Sequence, residues 1–142
     1  MLAPAVIKYI WASPASAIGT ALALLALLIG SETRMHTGVL EVSVRPKRAW
    51  QARLIARLPF GAITFGHVVL ACSEAEQVRL RAHERAHVSQ YESWGPLFLL
   101  AYPAESLLQF LMGGHPHRDN RFEVSARATA VQSLLAGAAG GA

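Results

Sequence analysis

The first thirty residues carry almost no charge. From Ala15 to Ile29 a run rich in Leu and Ala holds no acidic or basic side chain. The apolar character extends back across Ser13-Pro14 to Val6, broken by Lys8. That is about the length that crosses a bilayer, so residues 1–33 are expected to form an N-terminal hydrophobic helix and a membrane anchor, with an alanine-rich core helix as the competing reading. No A-x-A site follows the run, so a cleaved signal peptide fits least. The period then changes. Gly38 to Val44 is β-rich and partly alternating, which predicts a short strand. Arg45 to Leu58 is ambiguous between helix and loop. Gly61 to Ala71 is β-branched and apolar and reads as one further strand leading into a helix. Ser73-Glu74-Ala75-Glu76 has the form of a capping box. A helical pattern runs from there to Trp94, where Gly95-Pro96 stops it. Leu97 to Met112 is a second apolar segment, short for a span and interrupted by Pro103, hence a kinked helix that is buried or dips into a membrane. Beyond the loop Gly113-Gly114-His115-Pro116, Asp119 or Asn120 can cap a last helix with Glu123, Ala126, Ala130 and Leu134 on one face. Residues 137–142 have little to pack and are expected to form a flexible tail.

These elements predict an α+β chain: a hydrophobic helix, then one small domain over residues 34–136, then the tail. Composition sharpens this. The 53% hydrophobic and 15% charged fractions are respectively high and low for a soluble domain. The net charge is +4, and the basic residues between Arg45 and Arg57 cluster around Trp50. No nucleic-acid motif accompanies them, so nucleic acid is not the expected partner. Trp50, Leu54 and Leu58 recur every four residues among Lys47, Arg48, Arg53 and Arg57, which fits a basic amphipathic helix on an anionic membrane surface; a solvated basic helix beside the core fits equally. Membrane lipid is therefore an expected partner. Arg34, Arg45, Lys47 and Arg48 after the apolar run outweigh Lys8 before it, which by the positive-inside rule keeps the following domain in the cytoplasm. Lone Cys72 can form no intrachain disulfide and reads as a small apolar residue between strand and helix.

The candidate chemistry lies in His83-Glu84-Arg85-Ala86-His87. Two histidines four apart converge on one point from one rigid helix, and the spacing H-E-x-x-H is that of zinc-dependent peptidases. Glu84 then lies beside the open position of a metal, placed to take a proton from water. Leu80, His83, His87, Tyr91 and Trp94 share one stripe, with Arg81, Arg85 and Glu92 roughly opposite, so both imidazoles are expected to be buried and to need partners. A tetrahedral site with an open position needs a third protein ligand. Glu92, Glu105, His115, His117, Asp119 and Glu123 lie downstream. Glu92 points off the stripe. Glu105 sits just after Pro103 among apolar neighbours. Glu123 sits on a small-residue helix face, with an ordinary Glu123–Arg127 surface pair as its alternative.

The stretch Ala62 to Leu70, then His83 to His87, then Val88 to Phe98, then Tyr102, then Asp119-Asn120-Arg121-Phe122-Glu123 resembles a family of small bacterial H-E-x-x-H proteins, similar to minimal gluzincin metallopeptidases. The likeness covers about Gly38 to Ala130, and the H-E-x-x-H-x-x-Q-Y and D-N-x-F-E blocks are its specific parts. The family pattern has proline where Arg121 stands and glutamate where Ser125 stands. The resemblance implies a minimal zincin-like fold with an active-site helix, a short β edge and a C-terminal helix. It implies Zn2+ held by His83, His87 and Glu123, with Glu84 as general base, in a bacterial peptidase acting on a peptide or protein substrate; together with the apolar run, the expected place is the bacterial inner membrane. It also implies that the strand before the His helix is the edge along which substrate lies. His67 on that strand is read as structural. Tyr91, Tyr102, His115, His117 and Arg127 are candidates to hold the oxyanion. The alternative function is a zinc site that only holds helices together in a membrane protein, which a fourth ligand from His115 or His117 would favour.

Overall fold

Gly61 to Ala71 does not run as one strand. In the computed structural model, which describes residues 3–139, it folds back at Gly66-His67. Strand β3 (Ala62–Phe65) thus pairs antiparallel with β4 (Val68–Ala71). Upstream, β1 (Ser31–His36) pairs antiparallel with β2 (Val39–Val44) through a turn with positive φ at Thr37 and Gly38. Strands β2 and β4 run parallel, so the sheet order is β1-β2-β4-β3. The sequence pattern misses β1 because five of its six residues are exposed. An edge strand with both faces wet has no apolar alternation to betray it. The expected boundary between residues 33 and 34 falls inside β1, and the hydrophobic helix and the sheet form one packed unit.

That helix, α1 (Ala3–Leu28), runs through Pro14 and contains an apolar stretch, Val6–Leu28, long enough to cross a membrane. It nevertheless packs on the sheet. Ala23 and Ala26 meet Val42 and Val68, with Leu40, Val44 and Leu70 around them. A Cβ on Gly19 would stand 2.7 Å from Val68 Cβ, so only glycine permits this approach. The opposite sheet face carries Val39 and Val69 against Val88 of α3 (Glu74–Trp94). The alternation of β2 is legible in this arrangement: Leu40, Val42 and Val44 face α1, while Val39 and Glu41 face α3. Helix α2 (Ala49–Ile55) settles the ambiguous basic stretch, its entry fixed by Gln51 Oε1 accepting from the N–H groups of Lys47 and Arg48, each at 2.9 Å.

Helix α3 is held on two sides. Ser73 caps it, its Oγ accepting from Glu76 N at 3.2 Å. Arg81 reaches Glu41 of β2 through two hydrogen bonds of 2.9 and 3.0 Å, and Arg85 donates to the carbonyls of His36 and Thr37. Arg81 and Arg85 of the charged stripe therefore face the β1–β2 hairpin, while Glu92 meets Lys8 of α1. Gly95 ends the helix at φ 58°, and its missing side chain leaves room for the Trp11 ring. After the short turn Gly95–Leu97, α4 (Phe98–Leu111) continues through Pro103, and α5 (Arg121–Ala139) packs back on α3. Part of the expected tail, residues 137–139, is helical, and residues 140–142 lie outside the described residues. The architecture is α+β: a small mixed sheet between α1 and α3, with α5 behind α3.

Candidate metal centre

The i,i+4 spacing on α3 brings the two imidazoles together: His83 Nε2 and His87 Nε2 lie 3.2 Å apart. Helix α5 supplies the third group. Glu123 places Oε2 at 3.2 Å from His83 Nε2 and Oε1 at 3.2 Å from His87 Nε2. The three donor atoms lie within 4.8 Å of one another. Donors at about 2.0–2.1 Å from a tetrahedral zinc stand about 3.3 Å apart, which the His83–His87 spacing matches and which each imidazole meets at a different Glu123 oxygen.

The hydrogen bonding around these atoms agrees with a cation. His87 Nδ1 lies 2.8 Å from Gln90 Oε1, and Gln90 Nε2 donates to the carbonyl of Phe122 at 2.9 Å. The Phe122 bond sets the Gln90 amide, so Gln90 Oε1 accepts from His87 Nδ1–H and the neutral ring turns its Nε2 lone pair to the site. Glu123 is 2% exposed, and its Oε2 has no hydrogen-bond donor. The His87 lone pair and a buried carboxylate thus face each other beside His83, an arrangement that a proton or a metal between them would satisfy. Protonation meets part of the demand. Burial drags the His87 imidazole down, but Glu123, Gln90 and nearby Glu84 outweigh it and leave its pKa raised. Burial likewise pushes Glu123 up, yet His83, His87 and Tyr102 hold it far below the ordinary carboxylate range. A divalent ion would balance the two buried carboxylates, Glu84 and Glu123, outright.

Glu84 is buried and does not join the donor cluster. Its Oε2 accepts from Thr64 Oγ1 at 2.7 Å, which ties the carboxylate to strand β3. Tyr102 of α4 donates to Glu123 Oε1 at 2.7 Å and lies 3.1 Å from His117 Nδ1. Burial, then its bond to Glu123, raises the Tyr102 hydroxyl well above its usual value. Burial alone pushes Tyr91 up to about 12. Both phenols therefore stay protonated and can donate. The site opens into a cleft of about 630 Å³ walled by Phe60–Phe65 on one side and by Tyr91, Phe98, Leu99, Tyr102 and Pro103 on the other. Strand β3, the sheet's outer strand, runs along it.

The remaining candidates sort by position. Glu105 lies in an ion pair with Arg121 at 3.0 Å and takes a 2.8 Å bond from Gln109, away from the histidines. Arg121, where the resembled family has proline, thus pairs α5 with α4. Ser125 is exposed. Glu92 binds Lys8 at 2.9 Å and sits 3.2 Å from His67 Nε2; His67 lies on the β3–β4 turn and not on a strand. His115 Nδ1 accepts from the N–H groups of His117 and Arg118, and Asp119 Oδ2 accepts from His115 N. Asn120 caps α5 through Phe122 N and also donates to Tyr102 O and Ser106 Oγ, locking α5 to α4. His117 lines the cleft, 3.4 Å from Glu123 Oε1, but is not one of the three convergent donors. Arg127 reaches Glu123 Oε2 only at 3.8 Å, so the i,i+4 pair and the site coexist. Gln90, the Q of the H-E-x-x-H-x-x-Q-Y block, and Thr64 are site residues to which the sequence reading gives no role. Three residues after His87 on the same helix face, Gln90 was within reach of a role; Thr64 had no signal short of the strand pairing. Comparison with protein-family models, curated proteins and solved structures finds no match for this chain.

Proposed function

We propose that the protein is a membrane-associated zinc metallopeptidase of minimal gluzincin type. The observation that carries the reading is the convergence of His83, His87 and Glu123 from two helices at a cleft, with Glu84 alongside and outside the donor set. Three protein donors leave a coordination position open, which is the form of catalytic sites, whereas structural sites close with four. A zinc ion held by His83, His87 and Glu123 would supply an acidified water, with a pKa of about 7, and a Lewis acid for a carbonyl. The chain's own groups do the rest. Strand β3 offers its outer edge to an extended peptide, which binds as an added strand. Glu84, steadied by Thr64, takes the proton from the attacking water and delivers it to the leaving amine. His117, which lines the cleft, is the candidate to hold developing negative charge on the carbonyl oxygen; Tyr102, whose hydroxyl donates to Glu123, would join it only by giving up that bond. The mostly aromatic and aliphatic cleft wall excludes bulk water and favours apolar substrate side chains.

The experiment is a pair of variants. Full-length protein is expected to bind about one zinc per chain, measured by elemental analysis. His83→Ala should abolish this. Glu84→Gln should keep the zinc but lose peptide cleavage, because the amide cannot accept a proton. Wild-type protein that stays metal-free after zinc is supplied would sink the reading, and equal turnover in Glu84→Gln would remove Glu84 as base.

A further inference from the structure

Helix α1 is mostly apolar, with Lys8 as its one charge, yet it is bound lengthwise to a polar domain. Near its start Lys8 pairs with Glu92 at 2.9 Å and Tyr9 donates to the Gly38 carbonyl at 3.0 Å. At its middle Ser16 Oγ accepts from His67 N at 3.0 Å and Gly19 lies against Val68. Near its end Ala23 and Ala26 meet Val42, and the Gly30 carbonyl accepts from Arg45 N at 3.1 Å. Within the helix, from Lys8 to Ala26, these contacts run along about 27 Å, close to the thickness of a bilayer's hydrocarbon core. The face turned away carries Ile7, Ile10, Pro14, Ala17, Ala21, Leu24, Leu25 and Leu28, all exposed and without a charge.

A helix so docked cannot cross a bilayer without taking its sheet along. The sheet ends in β1, whose Glu32 and Arg34 are exposed and whose outer N–H and C=O groups have no strand beside them. Ion pairs Arg45–Glu32, Arg45–Glu74 and Arg34–Glu74 lie at the same end. Hydrocarbon excludes an open strand edge and exposed charges of this kind. We infer that α1 lies flat in one leaflet of an anionic membrane, its outer face in the headgroup–acyl boundary and its inner face on the sheet, and does not span. The inference rests on the membrane association proposed above.

Charge names the occupant of the face. Among the described residues Lys47, Arg48, Arg53 and Arg57 are exposed and have no carboxylate within ion-pair distance. The Lys47 stem packs at Gly30, at the C-terminal end of α1, and Trp50 and Leu54 beyond it are more than half exposed. Cations and an amphipathic aromatic next to a long apolar face match an anionic lipid surface. One consequence concerns the site. Gly19 touches Phe65 of β3, the strand that walls the cleft, so a peptide on β3 lies next to the lipid-bound helix.

The test uses the full chain with Cys72→Ser and single cysteines at Ile7, Ala17 or Leu28, each carrying an environment-sensitive fluorophore. Vesicles of phosphatidylcholine and phosphatidylglycerol supply the surface, with quenchers placed on lipid headgroups or at acyl-chain ends. The expected result is similar, shallow quenching at all three positions, with a membrane-impermeant reagent reaching both ends from one side. A deep reading at Ala17, with one end reached only after permeabilisation, overturns the flat orientation and leaves membrane association standing. No vesicle binding at all overturns both, as does burial of the labels by protein self-association without lipid. Neutralising Arg48, Arg53 and Arg57 to Gln should weaken binding to anionic vesicles about fivefold per charge; unchanged affinity overturns the assignment to an anionic surface.

Discussion

Glu105 and Glu123 are both buried carboxylates on consecutive helices, and only one of them can meet a metal. Glu105 already has a guanidinium and an amide as partners. Its charge is compensated, and the pair staples α4 to α5. Glu123 faces two imidazoles and a phenol, and one of its oxygens has no donor. The difference lies in what surrounds each group. A carboxylate whose lone pairs are satisfied is a structural strut, and one that faces imidazole nitrogens with an oxygen left without a donor is a candidate cation site.

The sharpest way to break this comparison is to remove each carboxylate in turn. Glu123→Ala should weaken zinc binding by more than the ~100-fold that loss of an outer supporting group produces, while Glu105→Ala leaves it nearly unchanged; competitive chelator titration reads both. The reverse order would mean that α4, not α5, carries the ligand. Next comes Gln90→Ala. It frees the His87 ring to take the wrong tautomer and unties α3 from Phe122, so zinc affinity should fall by about 10- to 100-fold without loss of a ligand. Affinity equal to wild type would show that the ring is held by the helix alone.

The two faces of α1 sharpen the contrast between partnered and unpartnered surface. Gly19→Leu drives a side chain into Val68 and Phe65 and should cost about 1–3 kcal/mol in urea unfolding. Leu24→Ala on the outer face should cost close to nothing in the absence of membrane. Equal effects would mean that α1 is not seated on the sheet. The smallest expected effect is a pH dependence. Arg121 first, then Gln109, hold Glu105 below its usual 4.5. A depressed carboxylate stabilises the fold fully above the unfolded value and loses that contribution as pH falls through the folded one. The thermal midpoint of wild type should therefore fall towards that of Glu105→Gln below about pH 4.5, and the gap between them should be constant above it.

The sequence by itself determined what is local. Covalent spacing sets His83 and His87 four apart, Ser73 in front of the helix and Gly95 behind it, and these act over one or two turns without help from the fold. Glu123 was legible as a candidate for the same reason, from its capping signal and its small-residue helix face. The tertiary structure alone decided what depends on distant pairing. The D-N-x-F-E resemblance already favoured Glu123 over Glu105; how Glu123 reaches the histidines turns on Arg121 and Asn120, which tie α4 to α5. The division of Gly61 to Ala71 into two strands, and the existence of wet strand β1, follow from hydrogen bonds between segments that leave no period in either. The role of α1 is the clearest case. Its composition reads the same whether it crosses a bilayer, lies on one or fills a core. Only the tertiary structure shows its small residues docked along the sheet, with an open strand edge and ion pairs at one side of that sheet. The physical reason is that hydrophobicity measures a wish to leave water and does not say where the residue goes.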